Sequence, residues 1–68
     1  MAQALEAQLG RFLKAKRGDM TYAEFSRKLG VTASTLHRLE NARQSITLRR
    51  LQQIMNRLNC TLTDIFPV

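Results

Sequence analysis

The side chains with the most varied chemistry lie between positions 33 and 50, where hydroxyl, imidazole, amide and guanidinium groups follow one another. Ser34 and Arg38 are four residues apart, a spacing that places two side chains on one face of a helix, and His37 lies beside them. These groups donate and accept hydrogen bonds, and an arginine presents a rigid fork of donors to planar or anionic acceptors. The stretch is therefore suited to recognising a polar partner.

Catalytic and metal-binding sets are missing from the sequence. Catalysis needs a nucleophile with a base, paired carboxylates or a phosphate-binding glycine loop, and none occurs at a useful spacing. Cys60 and His37 are the single members of their types, so the sequence predicts neither an intramolecular disulfide nor a zinc site. We expect no enzyme activity, no catalytic residue, no metal and no cofactor.

The net charge narrows the class of partner. Eleven Lys and Arg residues against five Asp and Glu leave a formal charge of +6 on 68 residues, and such a surplus attracts polyanions. Double-stranded DNA is the leading partner, and an anionic membrane surface is the rival. The chain has no apolar run of about 18 residues and no apolar signal region, so we expect no membrane partner. The expected location is cytoplasmic and nucleoid-associated.

Apolar residues at helical spacing predict an all-α protein, a compact bundle of five short helices forming one domain over residues 1–68. The first helix carries Leu5, Leu9 and Leu13 on one face and ends near Gly18. No strand pattern, repeat or low-complexity linker occurs in the sequence. The fold class follows from this uniform helical spacing.

Two capping signals mark a helix-turn-helix over about residues 22–41. Thr21 and Glu24 form a capping-box pattern that opens a second helix, and Gly30 ends it in the left-handed conformation. Thr32 then caps a third helix that runs to about Asn41. The chain is expected to turn sharply between the two.

Two further helices follow. Thr47 is expected to cap a fourth helix that ends at Asn59, and Thr61 with Asp64 resembles a second capping box that opens a fifth helix before Pro67. The expected inward side of the fourth helix carries apolar residues only: Leu48, Leu51, Ile54, Met55 and Leu58.

The third helix is expected to present a polar edge to solvent. If Leu36 and Leu39 face the core, a step of about 100° per residue places the polar side chains on the opposite side. This outward set consists of Ser34, His37, Arg38 and Asn41. One interpretation is an ordinary solvated helix face, and the other is a face that reads base edges in the major groove.

Two stretches carry a family resemblance: TYAEFSRKLGVTASTLHRLENA and TLRRLQQIMNRLNCTLTDIF. Together they resemble the helix-turn-helix domain of the lambda repressor and Cro-like family, also called the xenobiotic response element family, over about Phe12 to Phe66. The resemblance implies that the third helix enters the major groove, that the second lies across the backbone, and that dimers bind adjacent turns of DNA. It implies a base-reading set of Ala33, Ser34, His37 and Arg38.

A second set of residues is expected to contact the DNA backbone. The resemblance assigns such contacts to Tyr22, Asn41, Arg43, Gln44 and Ser45. Free amides at the start of the third helix add Thr35. Positive charge at the start of a helix opposes the helix dipole, so Arg49 and Arg50 are unfavourable there unless something compensates. Either they contact a phosphate, or they are a surface pair whose charge salt screens at little cost.

The sequence departs from the family pattern at two positions. Tyr22 replaces a common Gln, so its hydroxyl contacts a phosphate or its ring joins the core. Ala42 replaces the usual Gly, and because an Ala at positive φ is strained, Asn41 is expected to adopt that conformation instead. Glu40 faces the core and needs a cation or a set of amides, and the resemblance implies a cation from the first helix, for which Lys16 and Arg17 are the candidates.

These observations predict a sequence-specific DNA-binding protein, most simply a transcriptional repressor that acts as a homodimer. Its expected dimer contacts are the apolar residues near the end of the chain, at least one of which should belong to the core: Leu62, Ile65, Phe66 and Val68. The alternative is an antitoxin-like or other protein-interaction module of the same fold, because a fold does not determine a function. A third interpretation is binding to nucleic acid without sequence preference.

Overall fold

The computed structural model describes residues 4–67, and helices occupy most of this range. In chain order they are α1 (Leu5–Arg17), α2 (Tyr22–Leu29), α3 (Ala33–Glu40), α4 (Leu48–Leu58) and α5 (Leu62–Ile65). No strand occurs among the described residues. The radius of gyration is 11.1 Å, close to the value of about 11 Å for a compact chain of this length. The prediction of an all-α bundle of five short helices is confirmed.

Side-chain hydrogen bonds mark the starts of α2, α3, α4 and α5 at the predicted residues, whereas α1 begins after Ala4 without a side-chain cap. The Thr21, Thr32 and Thr47 hydroxyls accept hydrogen bonds from backbone amides three residues on, at 3.1, 3.0 and 3.1 Å. The Glu24 carboxylate accepts from the Thr21 amide at 2.9 Å, and Asp64 accepts from the Thr61 amide at 2.8 Å. Both capping boxes are therefore confirmed.

These amide bonds lower the pKa of both Glu24 and Asp64 below its ordinary value, because they favour the ionised carboxylate. The lowered values mean that the two caps stabilise the fold at neutral pH. This stabilisation is lost as the pH falls through the lowered pKa values.

The end of α3 differs from the prediction. Asn41 stays on the right-handed side with φ −104°, because its amide still bonds to the His37 carbonyl at 3.2 Å. Ala42 takes the left-handed conformation with φ 56°, and Arg43 then donates its amide to the Arg38 carbonyl at 2.8 Å. This bond closes the helix in the manner of a Schellman motif. The predicted left-handed Asn41 was wrong.

We expect Ala42→Gly to stabilise the protein by about 1 kcal/mol, because a left-handed Ala carries a steric cost that Gly avoids. Urea unfolding measures the change. Ala15→Gly, at an exposed position in the last turn of α1, is the matched control and should lower stability by up to roughly 0.5 to 1 kcal/mol. Loss of stability in both variants would contradict the left-handed conformation at Ala42.

The core lies where α1, α2 and α3 meet and is closed by α4 and α5. Its buried hydrophobic residues are Leu9, Leu13, Phe25, Leu29, Leu36, Leu39, Leu51, Ile54 and Ile65. Met55 and Leu58 pack against this core, so most of the predicted inward side of α4 is confirmed.

One prediction about apolar residues was wrong, and the candidate dimer contacts divide into core and exposed residues. Leu48 is 84% exposed, because it is the first residue of α4 and lines an open groove that no described element covers. Ile65 is 2% exposed and belongs to the core, so it is not accessible as a dimer contact. Val68 lies outside the described residues. Leu62 remains exposed and Phe66 is half-buried.

A buried ion pair joins α1 to the end of α3. The Arg17 guanidinium donates to both oxygens of Glu40, with Nε to Oε2 at 2.7 Å and Nη2 to Oε1 at 3.2 Å. The Glu40 side chain is fully buried, and Arg17 also donates to the Met20 carbonyl at 3.1 Å. The bonds to Glu40 raise the pKa of Arg17 above its ordinary value. Of the two candidate cations, Arg17 is the partner.

Gly10 is the point of closest approach between α1 and α3. A Cβ placed on Gly10 would lie 2.7 Å from the Glu40 carbonyl oxygen and 2.8 Å from that of Leu39. These distances are far inside van der Waals contact, and both atoms belong to the backbone. The crossing therefore depends on a residue without a side chain, which the sequence analysis did not single out.

Candidate nucleic-acid interface

The exposed edge of α3 matches the predicted outward set. Ser34, His37, Arg38 and Asn41 are all exposed, whereas Leu36 and Leu39 are buried. Ala33 and Thr35 in the first turn are half-buried. The small residues at this end leave room for close approach of another surface. The edge is polar and carries one cation, Arg38.

Arg38 is held by two neighbours. Its Nε donates to Gln44 Oε1 at 2.7 Å, and its Nη1 donates to Ser34 Oγ at 2.8 Å. The four-residue spacing of Ser34 and Arg38 was a usable signal for one of these bonds. The bond to Gln44 depends on the turn at Ala42, so sequence reasoning missed it. Ser34, Arg38 and Gln44 therefore form one hydrogen-bonded group.

Tyr22 lies between the core and this edge. Its ring packs against the core, with the Arg17 guanidinium 4.2 Å from the ring centroid. The His37 ring meets it edge to face, with centroids 5.4 Å apart at an interplanar angle of 66°. The ring therefore occupies the core position that was one of its two alternatives. A phosphate contact by its hydroxyl stays a prediction.

The segment between α3 and α4 carries most of the remaining expected backbone contacts. Within the described part of the chain, the Arg43 and Arg49 side chains are exposed and make no hydrogen bond or ion pair. Asn41 donates its side-chain amide to the His37 carbonyl at 2.8 Å, and Ser45 donates to Glu6 Oε2 at 3.4 Å. Arg43 in this segment and Arg49 in the first turn of α4 are thus the side chains most available to an anion.

Arg50 has a partner within the protein. Its Nη1 donates to the Gly30 carbonyl at 3.1 Å, at the end of α2. Arg57 approaches the neighbouring Lys28 carbonyl at 3.5 Å. A cation at the C-terminal end of a helix interacts favourably with its dipole. The charge of Arg50 at the start of α4 is therefore compensated at the end of α2.

A shallow cleft runs beside the exposed edge, between the first turns of α3 and α4. Its volume is about 230 Å³, and Thr35, Gln44, Ser45, Thr47 and Arg50 line it together with two apolar residues. Hydroxyl, amide and guanidinium groups predominate among these side chains. This mixture is typical of surfaces that contact phosphate and sugar.

Comparison with known families agrees with this geometry. A sequence profile described as helix-turn-helix, of the lambda repressor and Cro-like type, matches residues 13–65. The chain belongs to this helix-turn-helix family. The match includes the whole of α2 and α3, and the family consists of DNA-binding domains of the kind found in transcriptional regulators. Searches of curated proteins and of solved structures returned no match.

The described part of the helix-turn-helix protein contains neither a metal-binding cluster nor a membrane-spanning helix. Among residues 4–67, no cluster of His, Cys, Asp or Glu is arranged to hold a metal ion. No helix in the same range is long and apolar enough to cross a membrane. The surface formed by α3 and the segment after it is the candidate functional site, because the family match includes both and exposed polar side chains are concentrated there.

Proposed function

We propose that this protein binds double-stranded DNA in a sequence-specific manner and acts as a small transcriptional repressor. In this proposal α3 enters the major groove and α2 lies across the backbone. The observation that carries the proposal is the exposed edge of α3, where Arg38 is held in place beside small residues at the start of the helix. An arginine fork is suited to the paired acceptors of guanine.

The remaining polar residues are proposed to contact the DNA backbone and, apart from three residues of α3, not the base edges. Arg43 and Arg49 carry unpaired charge in the described structure and would neutralise phosphates. Tyr22, Thr35, Asn41, Gln44, Ser45 and Arg50 complete the proposed backbone set. His37 and Ala33 join Ser34 and Arg38 in the proposed base-reading set, with the Ala methyl positioned to contact a thymine methyl.

Selection of bound duplexes from a random pool of DNA tests the proposal. A palindromic consensus would support both sequence-specific binding and a two-fold dimer, because operator symmetry mirrors protein symmetry. If the selected duplexes show no enrichment of any sequence, sequence-specific repression is wrong and binding without preference takes its place.

Variants of Arg38 and Arg43 separate reading from positioning. Arg38→Ala should cost roughly 1 to 3 kcal/mol on the selected site and relax preference at about one base pair. Arg43→Ala should weaken binding to every duplex and reduce the salt slope by about one phosphate contact. Binding titrations at several salt concentrations measure both effects. Equal losses on all sequences for Arg38→Ala would reassign Arg38 to the backbone.

A specific observation also favours the protein-interaction module as a second candidate. Leu5, Leu48 and Leu62 are 62%, 84% and 53% exposed, and all three line one groove of about 410 Å³ with Phe66. Contiguous exposed apolar surface marks an interaction site. In the repressor proposal, this groove supplies the contacts of the homodimer.

Sedimentation of the purified protein, alone and with the selected duplex, distinguishes the two candidates. A dimer in either condition supports the repressor. A monomer in both conditions, together with weak binding to DNA, would favour a partner protein at the groove.

A further inference from the structure

The guanidinium of Arg38 is ordered before any ligand arrives. Two of the five N–H groups of a guanidinium are used here, one on Nε for Gln44 and one on Nη1 for Ser34. Both bonds are short, as expected when the donor is charged. The hydrogens on Nη2 and the second hydrogen on Nη1 remain, and these adjacent nitrogens form the end of the fork.

We propose that Gln44 is a positioning residue for base recognition, and that with Ser34 it holds Arg38 so that the end of its fork reads a guanine. The inference rests on the proposed function, because it assigns the residue that makes the reading of one base pair selective. It changes the role expected for Gln44, which the family resemblance places among the backbone contacts. It also makes the Ser34 hydroxyl a support for Arg38.

The local structure explains how a loop residue reaches the reading edge. Ala42 in the left-handed conformation reverses the chain, and the Arg43 amide closes the turn on the Arg38 carbonyl at 2.8 Å. Gln44 follows this turn and is half-buried, so its side chain is directed back toward α3. A neutral amide oxygen orients a guanidinium without cancelling its charge, which an Asp or Glu carboxylate would do.

Ordering Arg38 in advance should increase selectivity. Immobilising one flexible side chain at an interface changes an equilibrium constant by a factor of about 2 to 10. In this protein Gln44 and Ser34 immobilise Arg38 before DNA binds, so the binding step does not include this entropy loss. A released Arg38 would still attract DNA through its charge, but it would also reach phosphates and neighbouring bases, and discrimination at its base pair would fall.

The test compares binding of Gln44→Ala and wild-type protein to three duplexes. The first is the duplex selected from the random pool, the second carries A·T in place of the G·C pair read by Arg38, and the third carries 7-deazaguanine, which lacks the N7 acceptor. The affinity for the first duplex divided by the affinity for either of the other two should be lower in Gln44→Ala than in the wild type, by a factor of about 2 to 10.

Matched variants identify the cause. Gln53→Ala removes an exposed glutamine of α4 and should leave the ratio unchanged. Gln44→Glu keeps an acceptor for Nε, so it should retain the wild-type ratio of affinities. Because it adds a negative charge, it should also weaken binding to all three duplexes. In the protein without DNA, hydrogen exchange at Nε of Arg38 should be slower in the wild type than in Gln44→Ala.

The outcomes separate this inference from the proposed function. If Gln44→Ala weakens all three duplexes by one factor, Gln44 is a backbone contact and the inference is wrong. If the wild type discriminates and Gln44→Ala discriminates equally well, the inference alone is wrong. If the wild type itself shows no preference among the duplexes although the random pool was enriched, Arg38 does not read this base pair and the inference is wrong. The proposed function fails only if the random pool shows no enrichment, and the inference then fails with it.

Discussion

Arg17→Met is expected to be among the most destabilising single changes in this protein, because it leaves the Glu40 carboxylate buried without its cation. The Glu40 side chain is fully buried and receives both hydrogen bonds from Arg17. An uncompensated buried charge costs about 3 to 5 kcal/mol. A chain of 68 residues has a total free energy of unfolding of roughly 3 to 10 kcal/mol. The loss is therefore a large part of the whole.

Urea unfolding of three proteins checks this expectation. Lys14→Met removes an exposed charge of the same helix and should leave stability nearly unchanged. Arg17→Met with Glu40→Leu removes both charges and should recover much of the loss, because a buried ion pair is commonly replaced by apolar side chains at little cost. Similar unfolding midpoints for Arg17→Met and Lys14→Met would show that the pair does not stabilise the fold.

The ion pair also has a consequence for the proposed site. Glu40 is the last residue of α3, and Arg17 is the last residue of α1, so the bond fixes the end of α3 against the core. The same guanidinium covers the Tyr22 ring, which contacts His37. Under conditions where Arg17→Met remains folded, weaker DNA binding should accompany its lower stability.

Gly10→Ala is expected to destabilise the protein by about 1 to 3 kcal/mol, the usual cost of overpacking a core. Helix propensity alone predicts the opposite sign, a gain of roughly 0.5 to 1 kcal/mol for Ala over Gly inside a helix. The contact decides the sign, because the added Cβ would lie 2.7 and 2.8 Å from two backbone oxygens of α3. Backbone atoms move less readily than the end of a flexible side chain.

Thermal unfolding with a propensity control measures this effect. Ala15→Gly, at an exposed position of the same helix, reports what the exchange of Ala and Gly is worth without a contact. The contact cost in Gly10→Ala is the difference between its observed change and the gain that this control implies. A Gly10→Ala variant more stable than the wild type would show that α1 and α3 do not cross closely at this residue.

Much of the helical framework was predictable because its determinants are local. A Thr cap, its Glu or Asp partner and a closing Gly act over three or four residues, so their spacing alone places Thr21, Glu24, Gly30 and Thr32. Helical periodicity likewise assigned Leu36 and Leu39 to the core and the polar edge of α3 to solvent. The family resemblance depended on the same local signals.

Local rules failed where two conformations or two partners were close in energy. Asn41 and Ala42 were both able to end α3, and the bond that Asn41 keeps to His37 moved the left-handed residue one position along. Periodicity places Leu48 on the side of α4 that faces the core, but no described element covers its side chain. Periodicity gives the direction of a side chain and not the presence of a neighbour.

The sequence by itself determined the number of helices, their caps, the face of α3 that meets solvent and the family. The tertiary structure decided which segments meet: Arg17 with Glu40, Gly10 with the end of α3, and Gln44 with Arg38. The physical reason is the distance along the chain over which each kind of interaction acts. Caps and periodicity arise from neighbours along the chain, whereas these contacts join separate elements or cross a turn, and they form only when the packing of the core brings their partners together.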